Sequence, residues 1–139
     1  MNAQVRMTDA LLRTVGGRTV LLRIAQPAVQ GDLGEQLGLA TPVFSDQPLS
    51  PAVFRKVRPR IANGEKAKPA GYELLVSATA VGKIVGSLAF DAASVLFGQA
   101  AGVIVDGALL EIISVTTAEA FGAVYLYRLG LRDRVARLV

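Results

Sequence analysis

Between Ala100 and Val115 the sequence runs AAGVIVDGALLEIISV, and this stretch decides the fold class. Asp106-Gly107 is a two-residue hairpin signal, because a type I′ turn needs positive φ at both central positions and Asp and Gly tolerate it. Val103–Val105 is therefore expected to fold back on a strand that runs from Ala108 to Val115. After a connection TTAEAFG (116–122), the segment AVYLYRLGLR alternates strictly. Tyr125, Tyr127, Leu129 and Leu131 fall on one face, and Val124, Leu126, Arg128 and Arg132 on the other, the period of a half-buried strand. Three strands with short connections make a meander.

Three further strands lie upstream. RTVLLRI (18–24) sets Val20, Leu22 and Ile24 on one face, AVFRKVR covers 52–58, and YELLVSA covers 72–78 with Tyr72, Leu74 and Val76 in register. Segments 53–58 and 72–77 flank a loop that turns at Asn63-Gly64, so they read as a long hairpin with a basic tip at 59–71. Thr8 and Asp9 are expected to cap a short helix that Gly16-Gly17 ends. Ser77 or Thr79 is expected to cap a helix through Gly86, and Asp91 a second helix with Gly102 at its exit. Ile84 and Val85 are β-branched, so a strand over 84–90 is the alternative there. From Gln26 to Pro51 no period is sustained: prolines fall at 27, 42, 48 and 51 and glycines at 31, 34 and 38. Leu37, Leu39, Val43, Phe44 and Leu49 are too apolar for a solvated linker, so 26–51 reads as an arm that packs on something. The expectation is an α+β, mainly β, single domain (1–139): a small six-stranded β-barrel or sandwich with short helices and one long loop.

Hydrophobic residues make up 52% of the chain and its mean hydropathy is +0.45. A membrane helix needs roughly 18 consecutive apolar residues. Lys83, Asp91 and Gln99 interrupt the one candidate region, 74–105. No signal-peptide pattern opens the sequence, so the expectation is a cytoplasmic soluble chain whose excess apolar surface is shared with other chains. With no Cys, His or Trp, the sequence excludes disulfides, Cys/His zinc sites, Ser–His–Asp triads and Cys–His dyads. No cofactor is implied.

The glycine spacings do not point to nucleotide chemistry. Gly31, Gly34 and Gly38 lack the dinucleotide fingerprint, and Gly82-Lys83 lacks the Ser or Thr and the upstream Gly of a phosphate loop. The GxxxG pairs at 34–38, 82–86 and 98–102 are explained by turns and caps in a chain without a membrane helix. Among acids, Asp32 with Glu35 and Asp106 with Glu111 are the candidate carboxylate pairs, but neither has apolar neighbours placed to raise one pKa. Charge is the stronger signal. Residues 55–68 carry Arg55, Lys56, Arg58, Arg60, Lys66 and Lys68 against Glu65, a net of +5, and residues 128–137 carry a net of +3. The basic hairpin suits a DNA backbone or an acidic protein surface; its alternative role is to deter edge-to-edge strand pairing.

The C-terminal half resembles the head–tail connector proteins of tailed phages, most of all the head-closure or stopper group. Val105-Asp106-Gly107 is similar to the turn of that family, Leu109–Val115 to its following strand, Tyr125–Arg132 to its Arg-terminated last strand, and RTVLLRI to its first. The resemblance implies a non-enzymatic virion protein, in the host cytoplasm before assembly, whose small β-barrel forms a homo-oligomeric ring between portal or adaptor and tail around the DNA channel. Neighbouring neck, portal or tail proteins would be its partners, with no membrane involved. Arg55, Lys56, Arg58, Arg60, Lys66 and Lys68 would be its contacts to those partners or to DNA without sequence preference. The alternative is a small bacterial barrel module that binds an acidic protein or nucleic acid.

Overall fold

The computed structural model describes residues 3–26, 43–57 and 71–133. Its elements are α1 (Ala3–Thr14), β1 (Arg18–Gln26), β2 (Val43–Val57), β3 (Gly71–Ser77), α2 (Ala78–Ser87), α3 (Ala93–Gln99), β4 (Ala100–Val105), β5 (Ala108–Ala120) and β6 (Ala123–Asp133). The strands close into one barrel in the order β1-β2-β3-β6-β5-β4, and every neighbour pair is antiparallel. Pairing of β4 with β1 closes the circle, so the fold is the barrel rather than the sandwich.

The period-2 pattern fills the interior. Val20, Leu22 and Ile24 of β1, Leu49 of β2, Leu74 and Val76 of β3, Val103 and Val105 of β4, Leu110 of β5, and Leu129 and Leu131 of β6 are all buried. Ala80, Val81 and Ile84 of α2 and Leu96 and Phe97 of α3 join the same cluster, so these two helices close off the core between β3 and β4. Fully burying each large side chain contributes about 1.5–3 kcal/mol, which makes this shared interior the main source of stability.

The hairpin turns follow their sequence chemistry in one case and break it in another. Asp106 (φ 51°) and Gly107 (φ 81°) form the expected left-handed turn. The connection expected at 116–122 is instead strand as far as Ala120, and the chain reverses at Phe121 (φ 53°) and Gly122 (φ 76°). A bulky aromatic in the left-handed region is rare, which is why no turn signal was visible there.

The arm expected over 26–51 is corrected at both ends. Gln26 closes β1, and β2 starts at Val43, nine residues before the expected Ala52. Pro48 and Pro51 are tolerated because β2 pairs only with β1 before Ala52, where its pairing with β3 begins. A missing N–H on an unpaired strand edge disrupts no ladder. Residues 27–42 of that arm lie outside the described residues, as do 58–70 of the basic tip; Gly71 already belongs to β3.

Three helix ends also differ. Thr8 and Asp9 lie inside α1 rather than at its cap, and Thr8 Oγ1 donates to Gln4 O at 2.7 Å. Its far end is as expected: Gly16 is left-handed (φ 91°), and Gly17 N donates to Leu12 O at 2.7 Å in the six-to-one pattern of a Schellman stop. Ser77 caps α2, accepting from Ala80 N at 3.3 Å, and the helix runs through Ser87, so 84–87 is not strand. Ala92, not Asp91, precedes α3 and makes no side-chain cap bond. Gly102 lies within β4 rather than at a helix exit, where a Cβ would collide with Leu110 O of β5.

Candidate functional site

Alternation along β2 decides where the basic hairpin points. Ala52 and Phe54 pair with Val76 and Leu74, both buried in the barrel, so the even-numbered residues of this stretch face inward. Lys56 continues that inward row past the end of the core, opposite Tyr72, beside the stacked rings of Phe54 and Tyr72 (centroids 5.1 Å apart). Arg55 faces out. The two described members of the candidate set therefore sit on opposite faces of one strand, and Arg58, Arg60, Lys66 and Lys68 lie outside the described residues.

Arg55 is held in place. It stands opposite Glu73 in the β2–β3 register, and its Nη2 donates to Glu73 Oε1 at 2.6 Å. Arg128 Nε of β6 lies 3.2 Å from the same oxygen. Glu73 keeps only 16% of its side chain exposed, while both arginines are more than half exposed. One carboxylate thus fixes one arginine from each of the two basic segments on the outer wall, and the cluster keeps a net positive charge.

Strand direction also sets the described ends of those strands at one end of the barrel. β2 ends at Val57, β3 begins at Gly71, and β6 ends at Asp133, all at one end of the antiparallel barrel. Tyr72 pairs with Leu131, and the Tyr72 hydroxyl reaches Asp133 Oδ2 at 3.5 Å. Val57, Gly71 and Asp133 thus stand at the end that also carries the Asp106–Gly107 turn. The opposite end carries α2, α3 and the Phe121–Gly122 turn.

The remaining outer charges are clips between strands. Arg23 faces Asp46 in the β1–β2 register with a two-pronged contact (2.9 and 3.1 Å), and Arg132 faces Glu111 in the β5–β6 register (3.0 and 3.1 Å). Arg18 binds Asp106 across from the start of β1 to the β4–β5 turn. Hydrogen bonds from Arg18 and Arg23 hold the carboxyls of Asp106 and Asp46 below the usual carboxylate range. Cross-strand opposite charges of this kind help set register.

These pairs also engage two of the candidate acids. Asp106 and Glu111 are engaged by different arginines, and Asp32 and Glu35 lie outside the described residues. A cleft of about 570 Å³ between Ile24, Ser45, Leu88, Phe90, Val95 and Gln99 contains one carboxylate, Asp91. Asp9 is buried between α1 and α2; its Oδ2 accepts from Thr79 Oγ1 at 2.8 Å and its Oδ1 has no hydrogen-bond partner. No group of three or more potential metal-ligating acids occurs among the described residues, and no described helix is long and apolar enough to cross a membrane.

Two exposed apolar features escaped the sequence reading. Phe121, at the tip of the β5–β6 hairpin, is 92% exposed. Met7 and Leu11 of α1, with Val15 just past its end, form a stripe spaced four residues apart, opposite the face that buries Val5 and Leu12. The signal for the stripe was present: α1 has apolar residues on two faces, while a surface helix normally has one. Exposed Phe121 had none, because an Ala-Glu-Ala-Phe-Gly run lacks turn residues before the glycine. No family model, no curated protein and no solved structure matches this chain.

Proposed function

We propose that this chain is a non-enzymatic structural subunit of the head–tail junction of a tailed phage, of the head-closure type, which assembles as a ring around the DNA channel between portal or adaptor and tail. The observation that carries the reading is a closed barrel with large apolar side chains left outside it. Closure pairs most of the sheet's edges, so exposed apolar side chains, rather than added strands, offer the main route to association. Phe121, Met7 and Leu11 are the most exposed of the large apolar side chains among the described residues, and a ring would cover them. The segments that resemble the connector family form the β4–β5–β6 meander and β1 of this barrel.

In that ring, Lys56, with Arg58, Arg60, Lys66 and Lys68, faces the packaged DNA or the adjoining neck protein. Arg55 serves the outer wall. Contacts of this kind bind phosphate without reading sequence. Deleting the gene from its phage tests the function: filled heads and finished tails accumulate unjoined in the lysate. Joined particles with normal DNA retention would remove the reading.

A second reading has its own support. Lys56 has no ion-pair partner among the described residues and stands at the end of the barrel where β2 and β6 finish, a placement that suits a small module for nucleic acid or an acidic protein surface. Tight, salt-dependent duplex binding by the free monomer favours this module over the ring subunit.

A further inference from the structure

We propose that the β5–β6 hairpin tip of one copy of this chain docks on the α1 stripe of the next, in a head-to-tail contact made by Phe121 on Met7 and Leu11 and by Glu119 on Arg6 and Arg13, which lie along one side of that helix. This deepens the ring reading above and rests on it for the number of copies that close the circle. The contact itself belongs to the isolated chain.

Local chemistry shows how unusual both surfaces are. Phe121 occupies a left-handed position that disfavours it, at a tip where its ring meets only water. α1 exposes Met7 at 69% and Leu11 at 61%, although its opposite face already supplies all its packing on the barrel. Neither arrangement favours the single chain; each does favour a copy in which the surface is covered.

Charge selects the partner. Arg6 and Arg13, seven residues apart in α1, lie together along one side of the helix, separated from Met7 by Ala10, and have no ion-pair partner among the described residues; Glu119 stands two residues from Phe121 and has none either. An aromatic tip with one carboxylate is therefore the complement of an apolar stripe with two guanidinium groups. Pairing two α1 helices symmetrically would bring like charges together, which costs free energy. Because tip and stripe are different patches, repeating the contact produces a ring or an open chain rather than a two-fold dimer. A sulfur–aromatic contact from Met7 suits the ring of Phe121.

One tip on one stripe covers less than the roughly 1,200 Å² of a stable interface, so the pairwise contact is weak until a ring closes. Cross-linking captures it. The chain has no cysteine, so Ala120→Cys beside the tip and Ala10→Cys beside the stripe supply the only thiols. Mixing the two single variants at high concentration with a short thiol–thiol cross-linker is expected to give mixed dimers in excess over either homodimer. A chain that carries both substitutions gives a ladder. Adding Phe121→Ser to the first variant, or Arg6→Glu with Arg13→Glu to the second, abolishes the product. Combining Glu119→Arg with the two glutamates restores it. Ala10→Cys homodimers, no product at all, or capture of the stripe by anionic phosphatidylglycerol vesicles without cross-links would overturn the proposal. The two readings separate in purified particles. A ring's worth of chain without tip–stripe cross-links sinks the contact and leaves the neck assignment. Cross-links by the isolated chain, with the chain absent from particles, do the reverse.

Discussion

Arg55 and Glu73 stand directly opposite each other in the β2–β3 register, joined by a 2.6 Å hydrogen bond, and the oxygen that accepts it also lies 3.2 Å from Arg128. The carboxylate separates two arginines that would otherwise repel. Glu73→Gln is expected to lower stability by about 1 kcal/mol, since exposed ion pairs contribute 0.2–1 kcal/mol each. The same change should raise retention on heparin, as it frees both guanidinium groups. Urea denaturation and a salt-gradient elution measure the two effects.

Phe121→Asn is expected to act in two opposite directions. Asn accepts the left-handed conformation that Phe resists, so stability should rise by about 1 kcal/mol. Tip-dependent cross-linking should disappear at the same time. Thermal unfolding of the variant beside the parent chain checks the first effect, and the cysteine assay checks the second.

Gly102→Ala tests the close approach of β4 to β5. A Cβ there would run into Leu110 O, a backbone atom, at a φ of 154° next to the register shift opposite Arg23 and Ile24. A loss of about 1–3 kcal/mol is expected. A Gly98→Ala control, which meets nothing within 4 Å, should leave stability unchanged or raise it slightly.

Leu129→Ala probes the interior. Leu129 is completely buried and pairs with Leu74 on one side and Val115 on the other. Truncation should remove about 2–5 kcal/mol through lost burial and the cavity left behind. Chemical denaturation with an unchanged m-value is the expected form of the result.

Acid and alkali should act on different parts of the barrel. Asp46 and Asp106 bind protons more weakly folded than unfolded, because Arg23 and Arg18 hydrogen-bond to their carboxylates. Their contribution is therefore present above the unfolded carboxylate range, about pH 4, and is lost as pH falls through their depressed folded values. Burial, with a smaller effect from Glu119, pushes the Tyr127 phenol up. Its contribution is present below about pH 10 and is lost as pH rises through the folded value. Asp46→Asn should flatten the acid limb of a stability–pH curve, and Tyr127→Phe the alkaline limb.

The parts of the fold that were legible in the sequence are those where one local rule acts alone. Asp106-Gly107 dictated its own turn, and Leu129 and Leu131 marked the buried face of β6 by simple alternation. The start of β2 was hidden because Pro48 and Pro51 read as loop residues, and only the absence of a second neighbour before Ala52 makes them acceptable in a strand. Phe121 concealed the second turn, since tertiary pairing of Ala120 with Ala123 overrides its preference. The basic site was half legible. Its residues stood out by charge, but that Arg55 would be bound by Glu73 and Lys56 turned to the opposite face depended on a register no sequence rule supplies.

Quantitative mass spectrometry of nuclease-treated, density-purified particles from cells that carry this gene tests the central claim most directly. The account predicts the chain in those particles at a ring's worth of copies, far below the major capsid protein. Its absence from particles, with the chain left free in the lysate, would contradict the ring reading.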